Sequence, residues 1–399
     1  MMHTPSPLPQ RHLVLILAAL TMIGPFSIDT YLPAFPAMAQ GLHTTDVLVQ
    51  QTLAAYLIPF AFMMLWHGAL SDALGRRRVI LVGLVLFLLS SLLCAFATSI
   101  EILLLGRVLQ GLTAGTGVIV SRAMVRDLYS GAEAQKLMAK VSLLFAIAPA
   151  IAPIIGGWIL QYFDWHGIFF FLTGFSLLLF IACWLWLPET LSTDNRQSLH
   201  PVSLWHAYRN AFSHHEFRRL SIASALNFVA GFIYILASPV FLIRHLGVSS
   251  NSFGIMFVPV VLGMMVGSYL SGRSAGKIST LTTIKYGYVL MASAAALNLI
   301  INLTLPPGLP WSLVSLPIYT CGMALSMPTL QLMALDHFPE RRGLASSCIG
   351  VIQTGVMAIV AAVVVPLLWG STLTLALGMV GFLSLGAGAF LMSRRTAVT

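Results

Sequence analysis

Long runs of apolar residues alternate with short polar breaks along this chain. A helix needs about 20 mostly apolar residues to cross the hydrocarbon of a bilayer. Twelve runs reach that length: 12–36, 48–70, 79–98, 101–123, 136–162, 167–187, 219–243, 251–272, 281–303, 310–334, 343–369 and 372–393. Backbone amides in hydrocarbon must be satisfied within the segment, so each run is expected to be an α-helix. The expected fold is an all-α polytopic membrane protein. A hydrophilic stretch, 189–217, separates the sixth run from the seventh and carries Glu189, Asp194, Arg196, Arg209 and Glu216. It divides the chain into an N-terminal six-helix bundle, 1–188, a central loop, 189–217, and a C-terminal six-helix bundle, 218–399.

Composition agrees with a lipid solvent. Hydrophobic residues make up 58% of the 399 and charged residues only 8%, against about 25% charged in a soluble domain. The formal charge of +9 would suggest nucleic-acid binding in a soluble protein. Here the basic residues sit in short clusters between apolar runs, so no nucleic-acid partner is expected. With the N-terminus in the cytoplasm, every one of the 21 Lys and Arg residues except Arg107 and Arg244 falls on the inside, as the positive-inside bias requires. Both termini are therefore expected to be cytoplasmic. The first run has no clear cleavage site and reads as a retained span. The four cysteines, Cys94, Cys183, Cys321 and Cys348, lie inside apolar runs without metal-ligand spacing, so free buried thiols and no metal are expected.

Asp29 is the acidic residue placed away from the run ends, and Arg107 lies well within the fourth run. A carboxylate in hydrocarbon is costly unless it faces a cavity or a partner. Apolar surroundings favour the neutral form and a nearby cation favours the ionised form, so such a group can carry a proton. Both residues lie roughly 10 Å below the outer end of their spans at 1.5 Å rise per residue. An Asp29–Arg107 pair lining a transport cavity is expected, with a static ion pair between two helices as the alternative. Tyr31, Tyr56, Gln110, Asn227, Tyr234 and Gln353 are candidate cavity residues; helix–helix hydrogen bonds would also explain each. Phe26, Phe60, Phe145, Phe228 and Phe232 could supply apolar lining or simple packing. His67 could titrate, and His214-His215-Glu216 lacks zinc-protease spacing. No phosphate-binding loop and no nucleophile elbow occur, so neither ATP nor acyl-transfer chemistry is expected, and no cofactor.

The halves read as diverged repeats. The loop after the second run, Gly68 to Arg78, matches Gly267 to Arg273, and Arg126-Asp127-Leu128-Tyr129 matches Leu335-Asp336-His337-Phe338. At these residues the chain resembles the major facilitator superfamily over essentially its whole length. Gly68-x-Leu70-x-Asp72-x-x-Gly75-Arg76-Arg77 is similar to that superfamily's loop signature, and Arg107-x-x-Gln110-Gly111 to the signature of its proton-coupled members. Ala148-Pro149 through Ala152-Pro153 to Gly156-Gly157 resembles the antiporter signature, with Ala148 and Ala152 in place of two glycines. Asp29-Thr30-Tyr31-Leu32-Pro33-Ala34 resembles a stretch of the Bcr/CflA drug-resistance exporters.

The resemblance implies two pseudo-symmetric six-helix halves, alternating access, a bacterial inner membrane and a monomer. It implies a cytoplasmic gate of Gly68, Asp72, Gly75, Arg76 and Asp127, with Arg76 bridging to Asp127 and Asp72 facing the start of the eleventh helix. The same cations are also topology determinants. Pro149, Pro153, Gly156 and Gly157 would shape the fifth helix for packing against the second half. Three readings remain: a proton-coupled antiporter of small amphipathic drugs, a proton-coupled exporter of one metabolite, and, from another class, an intramembrane enzyme or receptor, for which no catalytic constellation is visible.

Overall fold

The computed structural model describes residues 10–192, 196 and 201–396. Asp194 of the expected central loop lies outside them. In chain order the helices are α1 (Gln10–Asp29), α2 (Phe35–Gly41), α3 (Asp46–Met64), α4 (Trp66–Leu74), α5 (Arg76–Ala95), α6 (Ile100–Leu128), α7 (Gly131–Tyr162) and α8 (His166–Trp186). They continue as α9 (Pro201–Ser213), α10 (His215–Leu236), α11 (Gly254–Ser274), α12 (Thr280–Thr304), α13 (Trp311–Leu335), α14 (Arg342–Ile359), α15 (Val365–Leu368) and α16 (Thr372–Thr396). No strand occurs among the described residues.

Twelve helical segments are long and apolar enough to cross a membrane, from His12–Gly41 to Thr372–Ser393. The expected all-α, twelve-span fold is observed, and most span ends fall within a few residues of the expected ones. The central stretch is not all loop: α9 occupies part of it. Helix starts follow capping chemistry. Thr45, Ser99 and Ser279 each accept a hydrogen bond from the backbone amide three residues on, at Leu48, Ile102 and Thr282, which satisfies one of the orphan donors of a first turn.

The chain forms two compact units, Met1–Pro201 and Val202–Thr399. In the first, α3 and α5 flank α6, and α1 packs against α7 and α6. In the second, α11 and α12 flank α13, and α10 packs against α16 and α13. Without a hydrophobic force between helices in lipid, small residues that admit close backbone approach hold such bundles together. Gly111 of α6 abuts the Tyr56 carbonyl of α3, and Gly117 the Leu20 carbonyl of α1. Gly263 and Gly267 of α11 abut the Pro317 and Cys321 carbonyls of α13 in the same way.

Candidate functional site

The first spanning segment is kinked where Asp29 sits. α1 ends at Asp29, and past Thr30 and Tyr31 a 3₁₀ turn, Leu32–Ala34, leads into α2. The expected first span thus runs as one segment, His12–Gly41, with a kinked joint in which Thr30 still donates to the Phe26 carbonyl and Tyr31 keeps helical dihedrals. Proline explains it. Pro33 has no amide to return to the carbonyl of Asp29, and Pro36 none for that of Leu32. Such a proline kink at membrane depth is tolerated where protein or a cavity surrounds it. Here α7 supplies the cover: Gly156 is buried with its Cα against the Thr30 carbonyl, a place where no Cβ fits. Pro149, Pro153, Gly156 and Gly157 all lie on α7, and Gly156, expected to pack against the second half, packs within its own unit against the Thr30 carbonyl.

Arg107 of α6 is completely buried. Its guanidinium lies over the rings of Tyr31 and Tyr56, 4.4 and 4.5 Å from their centroids. Its Nε donates to the Thr52 carbonyl at 3.4 Å and its Nη1 to Gln110 Oε1 at 2.7 Å. Gln110 in turn donates from Nε2 to Ser91 Oγ at 2.8 Å, and the Tyr31 and Thr52 hydroxyls meet at 3.4 Å. Desolvated cation–π contacts are worth about 2 kcal/mol, a substantial fraction of the roughly 3 kcal/mol that an arginine costs at a helix centre in the membrane. The Nη2 of Arg107 and the Thr30 hydroxyl are buried without a hydrogen-bond partner, and the Tyr56 hydroxyl lies toward Ser27.

Asp29 is also buried, at 5% exposure. It forms no ion pair with Arg107 or any other described residue. The expected Asp29–Arg107 pair is therefore not made in this conformation. Equal depth did not decide the contact: the guanidinium meets two tyrosine faces, Gln110 and the Thr52 carbonyl instead.

At the other end of this unit, α4 meets α5 at Gly75, whose φ of +99° and ψ of 145° only glycine adopts readily. A Cβ there would also lie 2.5 Å from Glu189 Oε2. Gly68 sits on α4, where Ser71 donates to its carbonyl at 2.8 Å. Arg76 is nearly buried and gathers three partners: Asp72, in direct contact; Asp127 Oδ2, 3.0 Å from Nε; and Ser71 Oγ, 2.7 Å from Nη1. The Arg76–Asp127 bridge implied by the resemblance is present. Two further groups close the cluster. Thr190 Oγ1 donates to Asp127 Oδ2 at 2.8 Å. Glu189 accepts from the amides of Arg76 at 2.9 Å and Arg77 at 3.3 Å, capping the N-terminus of α5, where negative charge is favoured.

The comparisons with known proteins bear on this arrangement. The family model described as Major Facilitator Superfamily matches residues 17–362. The chain belongs to the Major Facilitator Superfamily. It is 34% identical to the MFS-type transporter YdgK of Bacillus subtilis, over 88% of each chain. It is 28% identical to a bicyclomycin resistance protein homolog of Haemophilus influenzae, over 88% of each, and 28% identical to multidrug resistance protein D of Escherichia coli, over 87% of each. The drug-resistance relatives agree with the Bcr/CflA-type resemblance. Among solved structures, a bacterial homolog of the human lysosomal transporter Spinster superposes with a TM-score of 0.71 at 17% identity, over 97% of each chain. The human organic anion transporter MFSD10 gives 0.68 at 19% identity, over 97% of this chain and 99% of its own; at these identities the likeness speaks to fold. The chain is a multi-pass membrane transporter of the superfamily, not an enzyme.

Within this superfamily protein, the structure brings Tyr31, Tyr56, Gln110 and Arg107 together in the first unit. In the second, Asn227 of α10 donates to the Tyr288 hydroxyl at 2.8 Å, which donates to the Gly386 carbonyl at 3.2 Å. Tyr234 accepts from Asn298 at 2.7 Å. Asn227 and Tyr234 therefore bind helix to helix, while Gln353 is half-buried on α14. Phe26 packs edge-on against Phe171 and Phe175, Phe60 stacks on Tyr56, and Phe228 on Phe232. His67 is buried, its Nε2 3.1 Å from the Leu112 carbonyl. Sequence reasoning missed Thr52, Ser91, Glu189 and Thr190. Small hydroxyls in apolar runs carry no distinguishing signal, and Glu189 reaches Arg76 across 113 positions.

Proposed function

We propose that this transporter is a proton-coupled antiporter that exports small amphipathic drugs across a bacterial inner membrane, with Asp29 as the proton-carrying group. The observation that carries the proposal is Asp29 itself: a buried carboxyl at the kinked end of α1, in the same unit as a buried arginine that it does not pair with in this conformation. A carboxyl so placed can bind a proton from one side and release it to the other as the transporter alternates. Ionised, it attracts Arg107 or a cationic drug; protonated, it lets go of either. Competition between proton and substrate for one site suffices for antiport. The bicyclomycin- and multidrug-resistance names of the relatives support drugs as cargo. The distribution of Lys and Arg supports cytoplasmic termini, and the Arg76 cluster then lies on the cytoplasmic side as a closure of the first bundle.

The test uses inside-out vesicles with an imposed proton gradient, a panel of antibiotics and metabolites, and wild type beside Asp29→Asn. Gradient dissipation by several unrelated drugs, lost in the variant, is the expected result. A response to a single metabolite assigns a dedicated exporter instead. An Asp29→Asn variant that still couples drug to proton sinks the role of Asp29.

A further inference from the structure

Arg107 is a buried cation whose contacts are two ring faces, one side-chain amide and one backbone carbonyl, with no carboxylate among them. Its fork is incompletely used: Nε and Nη1 are engaged, while Nη2 is buried with no acceptor. Asp29 is buried at the end of α1, two residues before Tyr31 at the kink. The carboxylate and one wall of the cradle therefore belong to a single short segment, braced at Thr30 by Gly156.

We propose that Tyr31 and Tyr56 are positioning residues for proton coupling: their ring faces hold the Arg107 charge while Asp29 is protonated, and the Asp29 carboxylate takes over through Nη2 when it ionises. This rests on the antiport reading above. A guanidinium in hydrocarbon stays charged, so it needs a stabilising partner in both protonation states of Asp29. A carboxylate can serve in only one of them. An aromatic quadrupole serves in the other without carrying charge, so the exchange moves one proton and leaves no unpaired anion. The cradle also limits how far Arg107 favours the ionised form, because two ring faces already stabilise its charge while Asp29 is neutral. Without the rings, Asp29 would be the remaining strong partner and would stay ionised to lower pH.

The other titratable groups around Arg107 are few. Tyr31 comes from the kinked first span, Tyr56 from α3, and Cys94 from α5, whose Sγ faces Gly106. On α6 the nearest charged residues are Glu101 and Arg122, six positions before and fifteen after. On α7 and α8 the titratable residues are Glu133, Lys136, Lys140, Tyr162 and His166, all toward the helix ends, and Cys183 near the far end of α8.

The test reads the pH midpoint of drug-driven proton movement in proteoliposomes of the full chain. Tyr31→Leu with Tyr56→Leu is expected to shift that midpoint acid by about tenfold in proton activity. Tyr31→Phe with Tyr56→Phe, which keeps both faces, is expected to hold the wild-type midpoint. Fluorinated phenylalanines at the same two positions keep the shape while weakening the face. They are expected to give a graded acid shift, which keeps the test open if the leucine variant does not fold. A wild-type midpoint in the leucine or fluorinated variants overturns the inference, as does a phenylalanine shift equal to the leucine one. Asp29→Asn run alongside separates the two ideas. If it stays coupled, the proton reading fails; if it is uncoupled while the ring variants do not shift, only the cradle fails.

Discussion

Arginine 76 illustrates how much one planar side chain can organise. Its Nε and Nη1 face Asp127, Ser71 and Asp72 in different directions. A lysine ammonium carries the same charge on a flexible stem but cannot span those partners as a fork. Arg76→Lys is therefore expected to keep membrane insertion and lower transport severalfold, with a melting temperature in detergent below wild type because charge-assisted bonds worth about 1.5–3 kcal/mol are lost. Transport assays and thermal shift on the same preparation check both. Glu189→Gln keeps an acceptor for the α5 amides and removes the charge, so a smaller loss, about 1 kcal/mol, is expected. Legibility at this scale was uneven. Asp29 and Arg107 stand out as ionisable residues in apolar runs, and the Arg76–Asp127 bridge followed from the loop signature. The tyrosine faces that Arg107 meets depend on side-chain packing across three segments. No spacing rule encodes that.

Helices in this chain are positioned by where a side chain is missing as much as by where one is present. Gly156 against the Thr30 carbonyl and Gly111 against the Tyr56 carbonyl each hold two backbones too close for a Cβ. Gly156→Ala is expected to push α7 off the joint beside Asp29, and to cut transport far more than it cuts the amount of protein in the membrane. Gly111→Ala should separate α3 from α6, and so Tyr56 from Arg107, with a similar outcome. Gly24→Ala on α1 is the counterpart: no atom lies within 4 Å of a Cβ there. It is expected to be neutral or stabilising by up to about 1 kcal/mol, since alanine is the better helix former. Quantitative immunoblotting of membranes beside transport rates distinguishes the classes. Hydropathy located the spans because length and apolarity are properties of the run itself. The kink after Asp29 escaped it because both flanks are equally apolar, although Pro33 and Pro36 marked the place. The π-helical turns at Pro239–His245 and Val360–Val364 have no hydropathic signature at all.

For the whole molecule, contacts divide the chain into Met1–Pro201 and Val202–Thr399, and the long polar stretch 189–217 runs across that division. Orientation is a separate matter, set by charge. The loop between α2 and α3 carries no Lys or Arg, whereas the α6–α7 junction is flanked by Arg122, Arg126, Lys136 and Lys140. Retention of such clusters in the cytoplasm fixes which way the first span inserts, and each later span must then alternate. Thr44→Cys, between α2 and α3, is accordingly expected to react with a membrane-impermeant maleimide in intact cells. Ser130→Cys, at the α6–α7 junction, is expected to react only in inside-out vesicles. The native thiols give a low background, because Cys94, Cys183 and Cys348 are buried and Cys321 is only partly exposed. The opposite labelling pattern would place the Arg76 cluster outside the cell. The proton would then be carried by Asp29 from a side that the charge distribution forbids, and the export direction proposed for this transporter would have to be reversed.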